Sequence, residues 1–506
     1  MNFIMKKIAL ISLLLWAFNI HFFYSLYLRD SSIYHFLFES IAYYIAILFL
    51  VTIFSFSRHL NHLFINFLFL ISIFGAYFIG SMGIEIDGNM LSNIFSSNST
   101  EALELTSITL FLYLFSLFFL LYLLNIKLLA KQKSLPLKRY LSALVLILII
   151  ALAFLKIDRD FIDRFTATDT PKVAPLFLIP SISEYVILRE RLVAIDKKNI
   201  SDEFTLKEET NDTLVVFVLG ESARGDRFWL NGYKKETNPE LSKISNLISF
   251  ADVSSCHTST LNSVPCLMTR VLQKEYDITI HETSFVQIFK DLGYETYWYS
   301  KHSPQKRVDT FCQEAAVCEY INESAYDQDL VEKLSFLQTQ QNKTLVVLHM
   351  LGSHLDYNER VPDSLKHFKP LCRGNVSGCT KEELDNSYDN TILYTDRFLA
   401  QIIEKLKEKN ACLIYTSDHG ESLGEGEIVA RYGHASPYEI APQAQKNVPL
   451  ILWFSDKYLQ NHKEINLQKI AKLENISHDN IFDTVLNCGA IHYKNIQNTN
   501  LNLLQR

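Results

Sequence analysis

At 506 residues the chain is long enough for two or more structural units. A formal net charge of −7 offers no basic face, which excludes a nucleic-acid binder as the first expectation. The mean hydropathy of +0.08 is high for a soluble protein with 20% charged residues and suggests that apolar material is concentrated at one end.

It is concentrated at the start. From Ile8 to Leu155 charges are sparse and Phe, Leu, Ile and Tyr dominate. Five apolar stretches, 8–28, 33–57, 62–83, 106–126 and 140–156, approach or exceed the ~20 residues a bilayer-crossing helix needs, and predict a five-helix transmembrane bundle over residues 1–156. The first has a basic start at Lys6 and Lys7 but no small-residue cleavage site, and four more follow it, so it is not read as a signal peptide. Glu39, near the outer end of the second stretch, is an intramembrane acid, expected to snorkel to the interface. Basic residues gather at the N-terminus, at Arg58 and in the loop holding Lys127, Lys131, Lys133, Lys138 and Arg139; the opposite loops carry Glu85, Asp87, Glu101 and Glu104. The positive-inside rule therefore places the N-terminus inside and everything after the fifth span outside.

Residues 157–210 read as a connector, with FLIPSISEYVILRERL as an amphipathic surface helix. From residue 211 to 506 a different pattern sets in. TLVVFVLG, YETYWYS, TLVVLHM, CLIYTS and VPLILWF are short apolar runs suited to strands buried on both faces, separated by helix-like segments. Their alternation predicts an α/β domain with a central, mostly parallel sheet.

Chemically capable residues follow these runs: Glu221 the first, Ser303 and Lys306 the second, His354 the third, Asp418 and His419 the fourth. Sites of open α/β sheets form at the carboxyl ends of strands, so the repetition is informative. Two carboxylates, an imidazole and a hydroxyl make a four-coordinate zinc site of N/O type. Taken singly, Glu221 and Asp418 read equally well as helix caps. The segment SSCHTSTLNSVPC offers Thr258, Ser259 and Thr260 as nucleophiles at the start of a helix, whose amides favour an anion. Six of the eight cysteines form local pairs, Cys256 with Cys266, Cys312 with Cys318 and Cys372 with Cys379, expected as disulfides in an oxidising compartment; the state of Cys412 and Cys488 is left open, either being able to stand as a free buried thiol.

GESARGDRFWLNGY, SSCHTSTLNSVPC, LGSH, YDNTILYTD and SDHGESLGE closely resemble the lipid A phosphoethanolamine transferases. That family includes the mobile colistin-resistance enzymes and belongs to the alkaline phosphatase/sulfatase superfamily. The resemblance implies a multi-pass protein of a Gram-negative inner membrane with a periplasmic catalytic domain, acting as a monomer. It implies transfer of phosphoethanolamine from phosphatidylethanolamine to lipid A or another envelope glycan, and a contribution to polymyxin resistance. It selects Thr260 as the nucleophile and Glu221, Thr260, Asp418 and His419 as ligands of a tightly held zinc. It places His354 and His434 at a second metal or at the phosphate, and Ser303 and Lys306 at the head group. The outer loop IEIDGNMLSNIFSSNSTEALEL supplies Asn93, Ser97 and Glu101 to the donor lipid, with Ser97 where the family has threonine. His257 stands where the family has glycine and is assigned no role.

Two rival readings remain at this level. A glycerophosphate transferase would share the architecture but lacks the cysteine-bracketed TST segment, and a membrane-anchored sensor would have lost ligands that are all present here. An arylsulfatase is disfavoured, since VPCLMTR does not supply its CxPxR motif.

Overall fold

A computed structural model of the chain describes residues 3–29, 33–96, 108–124, 136–157, 173–193, 195–207, 212–304, 306–374, 376–425, 431–495 and 501–506. Two compact units result, Met1–Arg189 with Gly424–Tyr432, and Glu190–Leu423 with Gly433–Arg506.

The first unit is helical: α1 (Phe3–Ala17), α2 (Ile20–Arg29), α3 (Ile33–Ile53), α4 (Arg58–Met82), α5 (Gly88–Ser96), α6 (Ile108–Leu124), α7 (Leu137–Ile157) and α8 (Leu178–Val193), the last of which runs into the second unit. Among the described residues three helical stretches, Phe36–Phe56, His59–Met82 and Leu137–Phe154, are long and apolar enough to cross a membrane. The expected count of five is not confirmed among the described residues. The first apolar stretch breaks between α1 and α2 at Asn19, whose Nδ2 donates to the carbonyls of Leu15 (3.2 Å) and Ala174 (2.7 Å) while its Oδ1 accepts the Ala174 N–H (2.7 Å). Two helices of 15 and 10 residues replace one long one. The fourth stretch yields 17 helical residues, bounded on both sides by residues outside the description. Glu39 is 4% exposed, so it is packed inside the unit and does not snorkel outward. Residues 158–172, 194 and 208–210 of the connector lie outside the described residues, but its amphipathic segment is helical as expected (α8), with Ile179, Ile182, Val186 and Ile187 exposed.

The second unit is built on an eight-stranded sheet. In chain order its strands are β1 (Thr213–Gly220), β2 (Leu247–Ser254), β3 (Glu295–Ser300), β4 (Val317–Tyr320), β5 (Thr344–His349), β6 (Asn410–Ser417), β7 (Asn447–Phe454) and β8 (Ile476–Ser477). Their spatial order is β8-β2-β7-β6-β1-β5-β3-β4. Five neighbouring pairs are parallel, whereas β7 runs antiparallel to both β2 and β6, so the sheet is mixed, with a parallel block running from β6 to the edge strand β4. Every residue of β1, β5, β6 and β7 is buried, which is why these segments read as unbroken apolar runs. Val215, Phe217 and Ile414 from the strands pack with Phe285 and Val485 in one core, each such side chain contributing about 1.5–3 kcal/mol by its burial.

Three helices of this unit matter for the site: α9 (Thr260–Met268), α10 (Lys381–Leu406) and α11 (Ile481–Cys488). The three local cysteine pairs are all disulfides. Cys412 and Cys488, whose state the sequence leaves open, are bonded to each other and tie β6 to the end of α11. Their 76-residue separation hides the pairing from any reading of spacing.

Candidate active site

The register of the central strands assembles the site. Gly220 at the end of β1 lies opposite Ser417 at the end of β6, so Glu221 and Asp418 leave adjacent strands side by side. The turn after β1 is tight: Ser222 adopts a φ of 56°, and its N–H donates to Asp418 Oδ1 at 3.2 Å. Gly352 approaches this turn so closely that a Cβ there would stand 2.6 Å from the Glu221 carbonyl oxygen, and its φ of +52° further favours glycine.

Thr260 is the first residue of α9, with Ser259 extended at the N-cap. Several contacts hold this segment in place. The Cys256–Cys266 disulfide joins the approach of α9 to its last turn. The Cys256 N–H donates to His478 Nδ1 at 3.0 Å, while His478 Nε2 donates to the Ser417 carbonyl at 3.0 Å. Ser263 Oγ donates to the Asp418 carbonyl at 2.5 Å, and Thr258 Oγ1 to that of Ser436 at 2.5 Å. Thr258 thus anchors the loop through its hydroxyl, and Thr260 brings its own to an acid.

Thr260 Oγ1 donates to Glu221 Oε2 at 2.9 Å and lies 3.3 Å from His419 Nε2. His419 Nε2 is 3.3 Å from Glu221 Oε1 and 3.4 Å from Asp418 Oδ2. Glu221, Asp418 and His419 are wholly buried. The other nitrogen of His419, Nδ1, faces the Gly420 carbonyl at 2.9 Å, an acceptor only, so it carries the proton and leaves the Nε2 lone pair turned into the cluster. Asp418 Oδ2 is buried without a hydrogen bond. An orphaned carboxylate oxygen, a second carboxylate, an imidazole lone pair and a hydroxyl within reach of one point form a donor set that fits zinc.

The electrostatics agree with that fit. Burial, reinforced by Glu221, pushes Asp418 up to about 7. Burial opposes ionisation of Glu221 too, but His419 overcomes it and holds this acid well below the usual carboxylate range. Burial also disfavours charge on His419, yet Asp418 and Glu221 together raise it to about 10. Two buried acids thus compete for one positive charge, a role a dication fills more completely.

His354 and His434 lie together beside this cluster, with ring centroids 5.9 Å apart and His434 4.3 Å from His419. His434 Nδ1 sits 2.8 Å from Glu421 Oε2, and the other oxygen of Glu421 accepts from the Tyr357 hydroxyl at 2.9 Å. His419, Glu421 and His434 form a second group able to hold a cation. Glu421 escaped the sequence reading because SDHGES looks like a helix cap; only the fold brings Tyr357 and His434 to it. His302 and His349 were also missed. They stack at 4.2 Å, and His302 Nε2 lies 2.7 Å from the Met350 carbonyl and 3.6 Å from Glu221 Oε2. Both follow the strand-end rule that found Glu221, since His349 closes β5 and His302 follows β3 by two residues.

The remaining expected site residues are placed less fully. Ser303 is exposed on the loop carrying His302. Lys306 opens the short helix Lys306–Cys312, and its side chain is outside the description. Asn93 lies on α5 of the first unit, while Ser97 and Glu101 fall outside the described residues. His257 packs its ring 6.2 Å from that of Tyr438, its Nδ1 is buried without a partner, and burial lowers it to about 4, so it is neutral at physiological pH.

Comparison with known proteins covers nearly the whole chain. Residues 43–186 match the family model described as phosphoethanolamine transferase EptA/EptB, and residues 213–491 match the sulfatase model. Phosphoethanolamine transferase EptA of Escherichia coli K12 is 32% identical over 450 residues, 83% of this chain and 81% of the relative. Phosphatidylethanolamine transferase Mcr-1 of Escherichia coli is 30% identical over 455 residues, 83% of this chain and 82% of that protein. Among solved structures, the integral membrane lipooligosaccharide phosphoethanolamine transferase A of Neisseria meningitidis superposes with a TM-score of 0.86 at 25% identity, covering 99% of this chain and 98% of that one.

Proposed function

The chain belongs to the lipid A phosphoethanolamine transferase family of the alkaline phosphatase/sulfatase superfamily, and from that premise we propose that it moves phosphoethanolamine from phosphatidylethanolamine to lipid A or another envelope glycan through a phosphorylated Thr260. The observation that carries this reading is the hydroxyl of Thr260, first in its helix and hydrogen-bonded to a buried carboxylate at 2.9 Å.

In the first half-reaction Thr260 Oγ1 attacks phosphorus and gives up its proton, while the bond from phosphorus to the diacylglycerol oxygen breaks and that oxygen takes up one proton in exchange, so that diacylglycerol leaves as the alcohol. In the second, an acceptor oxygen attacks the phospho-threonine ester and Thr260 regains its hydroxyl. The amides at the start of α9 face the transferred phosphoryl group. His354 and His434 stand where they contact its oxygens, and Ser303 and Lys306 are assigned to the ethanolamine end. Glu221, Thr260, Asp418 and His419 would hold zinc, which when bound lowers the pKa of a hydroxyl and offsets phosphate charge. His354 and His434, with Glu421, would hold any second metal.

The same reading places residues 1–156 in a Gram-negative inner membrane as five spans, with the N-terminus cytoplasmic and the catalytic domain, residues 211–506, periplasmic. Residues 157–210 connect them along the membrane surface. Asn93, Ser97 and Glu101 contact the donor lipid, the protein works as a monomer, and its action on lipid A lowers the affinity of the envelope for polymyxins. The test is incubation of the purified full-length protein with phosphatidylethanolamine. Diacylglycerol release with a phosphoethanolamine adduct on the peptide containing Thr260 is the expected result; an unmodified Thr260 alongside release, or no release, overturns it.

A further inference from the structure

Away from Thr260, the second unit contains a cavity of about 440 Å³ lined by Asp363, Lys366, Lys369, Pro370, Leu371 and Arg373. Three cations face one carboxylate. Lys366 Nζ neutralises Asp363 at 2.6 Å. Lys369 and Arg373 are exposed and have no carboxylate within ion-pair distance among the described residues. Lys366, foremost, with Arg373 and Lys369 holds Asp363 below the usual carboxylate range, and all three cations line the same cavity. The chain as a whole carries −7, so this concentration of positive charge runs against the average.

The cavity wall is braced. The Cys372–Cys379 disulfide closes the loop behind it. Asn390 on α10 accepts the N–H groups of His367 and Phe368 at 2.8 and 2.9 Å and donates to the Phe368 carbonyl at 3.0 Å. Asn386 donates to the Pro370 carbonyl at 3.1 Å, and Ser387 Oγ accepts the Cys372 N–H at 2.8 Å. The same stretch of helix reaches the catalytic turn, where Tyr388 donates to the Ser222 carbonyl at 2.6 Å and accepts the Arg224 N–H at 3.0 Å. Tyr388 and Asn390 are two residues apart, ~3 Å along the helix axis. One rigid element therefore fixes both the basic cavity and the turn that carries Glu221.

We propose that this cavity binds a phosphate monoester of the acceptor glycolipid and sets which acceptors reach Thr260. The proposal rests on the transferase reading above. A guanidinium with two ammonium groups suits a doubly charged phosphate, and the guanidinium can engage two of its oxygens at once. The donor does not suit this cavity, because its phosphodiester carries a single charge and must lie against Thr260 to react. An acceptor with further anionic groups has charge left over for a second anchor.

The test uses full-length protein in detergent, with phosphatidylethanolamine as donor and a bisphosphorylated disaccharide lipid as acceptor. The variant is Lys369→Gln with Arg373→Gln, two exposed positions where folding is not at stake. Expected is a rise of about tenfold in the acceptor KM, with kcat and acceptor-independent diacylglycerol release unchanged. The wild type should show a similar rise with the dephosphorylated acceptor, and the variant no further rise. Inorganic phosphate should compete with the acceptor in the wild type and less in the variant. An unchanged acceptor KM in the variant, with normal diacylglycerol release, overturns the cavity assignment. Competition by inorganic phosphate without any change in acceptor KM would mean that the cavity holds free phosphate only, and overturns it too. Absence of diacylglycerol release from the wild type would instead overturn the transferase reading on which the assignment stands.

Discussion

Thr260 Oγ1 gives its hydrogen bond to Glu221 Oε2, the carboxylate that leaves the sheet beside Asp418. The proposed nucleophile and the carboxylate it bonds are thus held by different parts of the fold, one by a disulfide-closed helix start and the other by a strand-end turn. Removing the hydroxyl should leave both supports intact. Thr260→Ala is expected to lower diacylglycerol release by on the order of 10³-fold or more while the melting temperature stays within a few degrees of wild type. Thr260→Ser, which keeps the oxygen, should retain measurable release. Equal activity of the Ala variant in a lipid-release assay would remove Thr260 from the mechanism.

The buried acids predict a dependence on metal. Dialysis against a chelator should abolish release, and zinc should restore it. Since the folded site binds the ion and the unfolded chain does not, zinc at a hundredfold excess over its Kd should stabilise the protein by about 2.7 kcal/mol, seen as a higher melting temperature. His419→Ala should lose bound zinc when the purified protein is measured by emission spectrometry. A variant that keeps the wild-type zinc content would exclude His419 as a ligand.

Parts of this molecule are legible in sequence because local pattern determines them. β1, β5, β6 and β7 are buried on both faces and show as continuous apolar runs. Glu221, Asp418 and His419 follow directly from where those runs end. Other parts depend on long-range contacts that no window detects. Asn19 breaks an apolar stretch because its side chain bonds to Ala174, 155 residues away. Glu421 becomes part of the site only through Tyr357 and His434. The YDNTILYTD run was noted as a motif, but its physical meaning is distributed: Tyr388 bonds the catalytic turn, Asn390 the basic loop, and Asp396 the backbone at Glu240 and Leu241.

The Cys412–Cys488 bond supports a stability prediction. It closes a segment of 76 residues that includes β7, so its loss frees a long loop in the unfolded chain. Cys412→Ala with Cys488→Ala should cost about 3–4 kcal/mol in a denaturant titration of the full-length protein. Neither residue touches the Thr260 cluster, so activity per folded molecule should be retained. Coincident unfolding midpoints for variant and wild type would show that the bond contributes nothing.

Asp396 supplies a pH signature distinct from catalysis. Its carboxylate accepts the N–H groups of Glu240 and Leu241, both at 2.9 Å. Burial nonetheless pushes it up to about 7; those N–H bonds oppose the rise, Glu240 adds to it and Lys243 opposes it. The unfolded carboxyl titrates near ~3.9. Between those values the folded state holds a proton that the unfolded state has released. Asp396 therefore contributes most stability below the unfolded pKa, and that contribution falls as pH rises toward 7 and is flat above it. Asp396→Asn keeps the shape and loses the titration, and altered hydrogen bonding adds only a pH-independent offset, so the informative quantity is the change with pH of the difference between the two proteins. Melting curves from pH 4 to 8 should show the variant gaining on wild type through this window and holding level beyond it. A difference that does not change with pH would mean that Asp396 is already ionised when the protein folds.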